Sequence, residues 1–353
     1  MTDHAFRLYT LPAGNGDALV VEYGSSAEPR HVLVDAGVGN AAAAVRSFLG
    51  ASRALELLIV THIDNDHISG VLQLLEGTSP PRPKDVWFNG YRHLPESAVE
   101  SMGPVEGERL SAILARDADR WNAAFGGKAV ATKTPLPTGT LDGGLRWTLL
   151  SPGAQQLRRL RQTWTAAIQE AGLDPAVAPP PTPAPGPVLE AMGPLDVDSL
   201  ADSRTVNDTA PANGSSIAVL FRYGKRTCLL AADAHPDVLI GGVDELLGPA
   251  GVLHVDVFKL PHHGSKANVT NELLRRIQAR TYVFSTDGSG NQRHPNDQAV
   301  ARVLKYGGSA PVLAFNYRSE RNQHWDDPEL KRKYGYETRY PVAGSSGIAV
   351  DVG

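Results

Sequence analysis

The sequence predicts an α/β protein built as an αββα sandwich, and two observations carry that expectation. Short alternating or apolar runs that read as strands fall into two groups, each interleaved with segments of helical periodicity, so the chain presents two similar halves. In both halves, histidines and aspartates stand directly after such a run. With 353 residues the chain can form a single large domain, 1–353, carrying insertions.

Residues 6–10 alternate as a strand, and residues 18–23 form a second after the glycine turn Gly14-Asn15-Gly16-Asp17. Residues 31–35 make a third, and the short turns between the three imply an antiparallel start. An alanine-rich helix over 40–49 precedes Leu57-Leu58-Ile59-Val60, an apolar run suited to a fully buried strand. A further strand is expected at 85–89. Leu110, Ile113, Leu114, Trp121 and Phe125 form a helical stripe inside an insertion at about 91–130. Residues 147–150 read as a strand, with Ser151 as N-cap and Pro152 as first residue of a helix burying Leu157, Leu160, Trp164 and Ile168. Arg158, Arg159 and Arg161 project from that helix. A solvated face is the default for such a run, a phosphate-contacting rim the alternative.

Eight prolines between Pro175 and Pro194 mark a Pro-rich flexible insertion at about 172–212, a candidate lid. It has too little apolar content to offset ordering entropy, so deleting 175–194 is expected to leave metal content unchanged by mass spectrometry. Loss of metal on deletion would make the segment structural. Beyond it, residues 216–223 and 226–231 form a hairpin about Gly224-Lys225, with Cys228 a buried small hydrophobe. Strands at 255–260 and 281–285, a helix over 296–305 and strands at 311–315 and 347–352 complete the second half.

Charge and composition narrow the function. The 34 Lys and Arg against 38 Asp and Glu leave a net charge of −4, so no general basic field serves a long nucleic-acid footprint, though a local basic rim is compatible with it. One cysteine excludes a disulfide framework, and no apolar run has the length of a membrane span. Met1-Thr2-Asp3-His4-Ala5 does not read as a leader. The expectation is a cytoplasmic protein without a membrane partner.

The most informative stretch is Thr61-His62-Ile63-Asp64-Asn65-Asp66-His67, with four potential metal ligands in six residues. An aspartate here could simply cap a helix beginning near Ser69. Capping accounts for one carboxylate, whereas two carboxylates with two flanking imidazoles fit a dinuclear metal site, with His62, Asp64 and Asp66 along an extended loop and His67 at the following turn.

This pattern resembles the His-x-His-x-Asp-His signature of the metallo-β-lactamase superfamily, in the variant with aspartate, here Asp64, as the second histidine. It is similar to the nuclease-like domain of ComEC-type competence DNA-uptake proteins and their free-standing relatives. Gly14–Asp17 and Val34-Asp35-Ala36-Gly37 resemble the family's Gly-x-Gly-Asp and Val-Asp-x-Gly elements, Ala231-Ala232-Asp233-Ala234 its Thr-Gly-Asp element, and Pro261-His262-His263-Gly264-Ser265 the His-His-Gly-Ser element. The resemblance implies the metallo-β-lactamase type of αββα sandwich. It implies His62 and Asp64 on a first metal, Asp66, His67 and His263 on a second, and Asp233 bridging the two. Asp17 and Asp35 would lie beneath as supports, although Asp17 also suits an ordinary turn.

Asp66, His262 and His294 are the candidate catalytic groups. Asp66 would orient the attacking hydroxide as well as ligate. His262 reads equally as a ligand or as a substrate-facing neighbour of His263. His294 resembles the family's late His-Pro and would protonate a leaving alkoxide or bind phosphate, a helix-capping or exposed histidine being the other reading. Ser265, Lys266 and nearby backbone amides are candidate phosphate contacts. His235 reads as exposed and His254 as structural. The chain departs from the superfamily at 209–216, where a further histidine usually stands; Asn213 is there instead, as asparagine is in ComEC-type sequences, and reads as a weak oxygen ligand or a substrate contact.

The function expected is a metal-dependent hydrolase, a phosphodiesterase or nuclease acting on nucleic acid or a nucleotide phosphodiester. A small-molecule ester, thioester or lactone hydrolase is the alternative enzyme, and a non-catalytic metal-binding regulatory partner the alternative of another class. Two divalent ions, zinc or manganese with magnesium admissible, are the expected cofactors. With only one imidazole implied at the first position, manganese is expected to support activity best and the first metal to be the labile one.

Overall fold

The computed structural model describes residues 4–95, 109–170, 195–290 and 293–353. Strands β1 (His4–Thr10), β2 (Leu19–Ser25) and β3 (Glu28–Val34) pair antiparallel in chain order, as their short connections require. After helix α1 (Ala41–Leu49) and β4 (Ala54–Leu55), β5 (Leu57–Ile59) joins β3 in parallel. Helix α2 (Asn65–Glu76) crosses the outer face before β6 (Arg82–Pro83) and β7 (Val86–Trp87), the latter parallel to β5. Helix α3 (Arg109–Leu114) leads towards β8 (Thr138–Thr140) and β9 (Arg146–Ser151), followed by α4 (Ala154–Glu170), α5 (Val197–Asp202) and α6 (Pro211–Gly214).

The hairpin β10 (Ala218–Tyr223) and β11 (Arg226–Leu230) opens the second half. Helix α7 (Pro236–Leu247), β12 (Leu253–Lys259), α8 (Asn271–Arg276), β13 (Ile277–Phe284), α9 (Asp297–Tyr306), β14 (Val312–Phe315), α10 (Pro328–Tyr334), β15 (Glu337–Arg339) and β16 (Ile348–Asp351) follow. One sheet has the order β16-β1-β2-β3-β5-β7, the other β15-β14-β13-β12-β11-β10-β9-β8. From β11 to β15 the second sheet is parallel.

Apolar residues on both faces of the central strands explain the layering. Leu19, Val21 and Tyr23 of β2 meet Val219, Phe221, Cys228 and Val257 between the sheets, while Val20 and Leu33 face Val45, Val71, Leu157 and Trp164 of the first helical layer. Leu229, Phe258 and Tyr282 pack outward against Leu239, Leu273 and Val300 of the second. The order is helices, sheet, sheet, helices, the αββα sandwich expected. Cys228 is buried there, and burial pushes its thiol pKa up. Among the described residues no helix is long and apolar enough to cross a membrane.

Several local expectations change. Ser151 does not cap a helix: it is held in the ladder opposite Ala218, and α4 begins at Ala154. The strand expected at 85–89 shrinks to β7. Residues 172–194 of the Pro-rich insertion lie outside the described residues, but 195–212 is not simply flexible. Its helix α5 is capped by the Asp196 side chain on the Ser199 amide and buries Val197 and Ala201. In the helical insertion, Leu110, Leu114 and Trp121 are buried and the Trp121 indole donates to the Phe88 carbonyl, whereas 96–108 lie outside the described residues.

Candidate metal centre

The ends of four parallel strands converge on one point. β3 delivers Asp35, β5 leads into Thr61 and His62, β11 delivers Asp233, and β12 delivers His262 and His263, while the β1–β2 turn brings Asn15 and Asp17. Helix α2 starts earlier than the sequence suggested: Asp64 occupies the N-cap position and Asp66 and His67 form its first turn. The Asp64 side chain makes no capping hydrogen bond, so capping is not what it does. Gly16 makes this approach possible, because a Cβ there would lie 1.8 Å from the Asp66 carbonyl oxygen.

Backbone strain gathers at the same place. Asp35, Ala232, His262, His263 and Arg293 all have φ between 47° and 57°, in the left-handed region that side chains avoid. Such conformations cost about 1–3 kcal/mol each and persist where the surrounding structure enforces them. Two consecutive strained histidines turn both imidazoles towards Asp233.

The hydrogen bonds of four histidines fix one tautomer. His67 Nδ1 donates to Asp35 Oδ2 at 2.8 Å, and His263 Nδ1 to the Ser285 carbonyl at 2.9 Å. Thr61 Oγ1 gives its proton to Asp35 Oδ2 at 2.7 Å, so at 3.0 Å it accepts from His62 Nδ1. His262 Nδ1 lies 3.0 Å from Asn268 Oδ1, an acceptor. In each ring the proton sits on Nδ1 and the lone pair on Nε2 points inward, as in histidine ligands oriented by an outer acceptor.

Those lone pairs surround Asp233, whose side chain is 3% exposed. The Nε2 atoms of His67, His262, His263 and His62 lie 3.4, 3.7, 3.7 and 3.9 Å from its carboxylate oxygens. His67 Nε2 and His263 Nε2 are 3.2 Å apart, two acceptors facing each other. Ligands about 2.0 Å from a tetrahedral metal are about 3.3 Å from one another, so the separation fits a shared cation. Asp66 Oδ2 is 3.5 Å from His263 Nε2, and Asp64 Oδ2 is 3.6 Å from His62 Nε2. His62 Nε2 and Asp233 Oδ1 are buried without a hydrogen-bond partner. Orphaned donor atoms of the right chemistry, aimed at one volume, fit metal ions.

The carboxylates draw positive charge to the same atoms. Burial disfavours a charged imidazole, but without a cation in the site Asp233 and Asp17 push His263 up to about 9, and Asp233 and Asp35 hold His67 well above its ordinary value, so a proton takes the Nε2 lone pair that a metal ion would otherwise occupy. Burial likewise opposes the Asp233 carboxylate, and the histidines around it outweigh this and lower its pKa. His294 is buried beside His262, with ring centroids 4.9 Å apart, and neither of its nitrogens has a partner. Burial and then the neighbouring imidazoles press its pKa well below the usual value, so it is a neutral imidazole in the site.

His62, Asp64, Asp66, His67, Asp233, His262, His263 and His294 all lie at this centre, with Asp35 hydrogen-bonded to His67 and Asp17 beside His263. Asp17, His67, Asp233 and His263 each place a ligand atom within 4.8 Å of the others. Asp17, however, is paired with Lys259, a fully buried cation that sequence reading passed over although a lysine between Phe258 and Leu260 signals a paired interior charge. Asp208 and Asn268 were also missed. Asp208 Oδ2 accepts from Asn213 Nδ2 at 2.7 Å and Asn268 Nδ2 at 3.0 Å, and lies 3.4 Å from His262 Nδ1.

His235 is not exposed: it is buried against Gly214, 3.8 Å from Asp208. His254 is exposed on β12 and remote from the centre. The Ser265 hydroxyl is buried and accepts from the Ala267 amide, which takes it out of the set of phosphate contacts, while Lys266 stays exposed. Arg158 and Arg159 are exposed; Arg161 donates to the Leu94 carbonyl and stacks over Tyr91.

ComE operon protein 3 of Bacillus subtilis (strain 168) is 29% identical over 98 residues, which is 28% of this chain and 12% of the length of that protein. Among solved structures, the metallo-beta-lactamase fold protein YhfI from Bacillus subtilis is 12% identical over 98% of this chain and 99% of its own, with a TM-score of 0.42. CmlA, a diiron beta-hydroxylase from Streptomyces venezuelae, is 14% identical over 99% of this chain and 54% of its own, with a TM-score of 0.36. The family description "Metallo-beta-lactamase superfamily" matches residues 11–288, from before Asp17 to beyond His263. A sandwich of two sheets between helices, with its histidines and aspartates gathered where the parallel strands end, is the setting this match describes, and the chain belongs to the metallo-β-lactamase superfamily.

Proposed function

We propose that the protein is a metal-dependent phosphodiesterase acting on nucleic acid or a nucleotide phosphodiester. The observation that carries the metal-dependent reading is the buried Asp233 carboxylate ringed by four Nε2 atoms, with no lysine or arginine among the described residues paired to it. His62 and Asp64 would hold one ion, Asp66, His67 and His263 the other, with Asp233 between. Bound there, two divalent ions would activate water and neutralise charge developing on a phosphoryl group. The substrate class rests on the resemblance of the ligand loop and the His262-His263-Gly264-Ser265 segment to ComEC-type nuclease-like domains.

The chain's own groups divide the remaining work. Asp66, with its side chain 26% exposed and Oδ2 held by Asn15 Nδ2 at 3.3 Å, faces both the ligands and solvent and is placed to orient the attacking water. His294 has both nitrogens free of hydrogen bonds and is neutral, which makes it a poor proton donor to the leaving oxygen and suits it instead to give an N–H hydrogen bond to a substrate phosphate. Asp35 orients His67 through Nδ1 at 2.8 Å, and Asp17 lies 3.4 Å from His263 Nδ1.

A panel of a bis-aryl phosphate, single- and double-stranded nucleic acid, cyclic nucleotides and a lactone tests the reading on metal-loaded protein. Phosphodiester cleavage is expected. Lactone hydrolysis with no phosphodiester turnover would replace it by the ester-hydrolase alternative.

A further inference from the structure

We infer that His262 is a metal ligand in this chain, completing the first position with His62, Asp64 and Asp233, and that Asp208 and Asn268 are the residues that position it. The inference rests on the dinuclear centre proposed above but not on its substrate. It also accounts for the departure at 209–216, where the usual further histidine is missing.

Asn213 offers only an amide oxygen where the histidine would stand. Its Nδ2 donates to Asp208 Oδ2 at 2.7 Å, which leaves its Oδ1 buried without a partner as a weak oxygen donor at most, and Asp208 Oδ1 is tied to the Ala210 amide at 2.9 Å. The loop carrying the missing imidazole is thus anchored on a carboxylate instead. That carboxylate also accepts Asn268 Nδ2, and the same Nδ2 lies 3.3 Å from the Asp233 carbonyl oxygen. Two acceptors on Nδ2 leave one orientation for the Asn268 amide, with Oδ1 facing His262 Nδ1 at 3.0 Å. The proton of His262 is therefore on Nδ1.

Nε2 then carries the lone pair, and it lies 3.7 Å from Asp233 Oδ2, which His62 Nε2 approaches at 3.9 Å and His263 Nε2 at 3.7 Å; with His263 assigned beside His67 and Asp66, His62 is the imidazole left to share a position with His262. The strained backbone of His262, with φ of 48°, is what brings the ring there. Each metal position then has two imidazoles, His62 with His262 and His67 with His263. The oxygen-rich first position, and the preference for manganese drawn from it, give way to two positions of similar donor chemistry that both suit zinc.

The test is titration of the metal-free full chain with Zn²⁺ against a chromophoric chelator, with Co²⁺ absorption spectra as a second readout of the ligand field. The parent protein should take two ions. His262→Gln should keep one tight ion and weaken the other at least about tenfold, and Asp208→Asn, which leaves the imidazole in place, should weaken the same ion by about 10–100-fold. Circular dichroism checks the fold, and Asp208→Asn carries the test if His262→Gln does not fold. Variants that bind two ions as tightly as the parent, or that lose both together, overturn the inference while leaving the dinuclear centre of the parent intact. A parent chain that binds no metal overturns both.

Discussion

Asp233→Ala should abolish hydrolysis while leaving a folded protein. The side chain is buried against four imidazoles, whereas the backbone of Asp233 is held independently, its amide by Ser216 Oγ and its carbonyl by Asn268. Removing the carboxylate takes away the one group all four Nε2 atoms share. Turnover of a bis-aryl phosphate should fall by at least about 10³-fold, roughly 4 kcal/mol of transition-state stabilisation. Circular dichroism should be unchanged. An active Asp233→Ala protein would contradict the two-metal assignment.

The second large effect is on stability. Lys259 is fully buried between the sheets and paired with Asp17, itself 1% exposed. Burial opposes the Asp17 charge, yet Lys259 and then His263 hold its carboxyl well below the usual range. Lys259→Met takes the buried ammonium away from that carboxylate, leaving only His263 beside it, and should cost about 3–5 kcal/mol. Adding Asp17→Asn removes the stranded charge and should recover most of the loss, a coupling that urea unfolding of the four proteins of the cycle measures. A Lys259→Met protein as stable as the parent, or a double variant no better than the single, would show that the pair does not carry the interior charge balance.

The ligands were legible because they are local. His62, Asp64, Asp66 and His67 fall within six residues after an apolar run, and His262 and His263 follow another, so adjacency in sequence is adjacency in the site. The groups that orient them were less visible, since Asp208 and Asn268 stand 60 residues apart and meet only through folding. His235 was misread because the following proline suggests a loop; that proline instead opens α7 and sets His235 at its N-cap, against Gly214. Ser151-Pro152 carried the same helix-start pattern, and there the pairing of Ser151 with Ala218 in the sheet prevailed. The αββα layering was readable from strands apolar on both faces. The short β8 and β15, exposed and at the sheet edge, have no such run to announce them.

The proposed phosphodiesterase activity requires two ions held by the ring of histidines and aspartates around Asp233. Stripping the full chain with chelator and adding back Zn²⁺ or Mn²⁺ in steps, with metal content followed by mass spectrometry together with bis-aryl phosphate cleavage, measures this directly. Activity should vanish on stripping and return as the second ion binds. Cleavage that persists in the metal-free protein, or a chain loaded with two ions that cleaves no phosphodiester, would contradict the account.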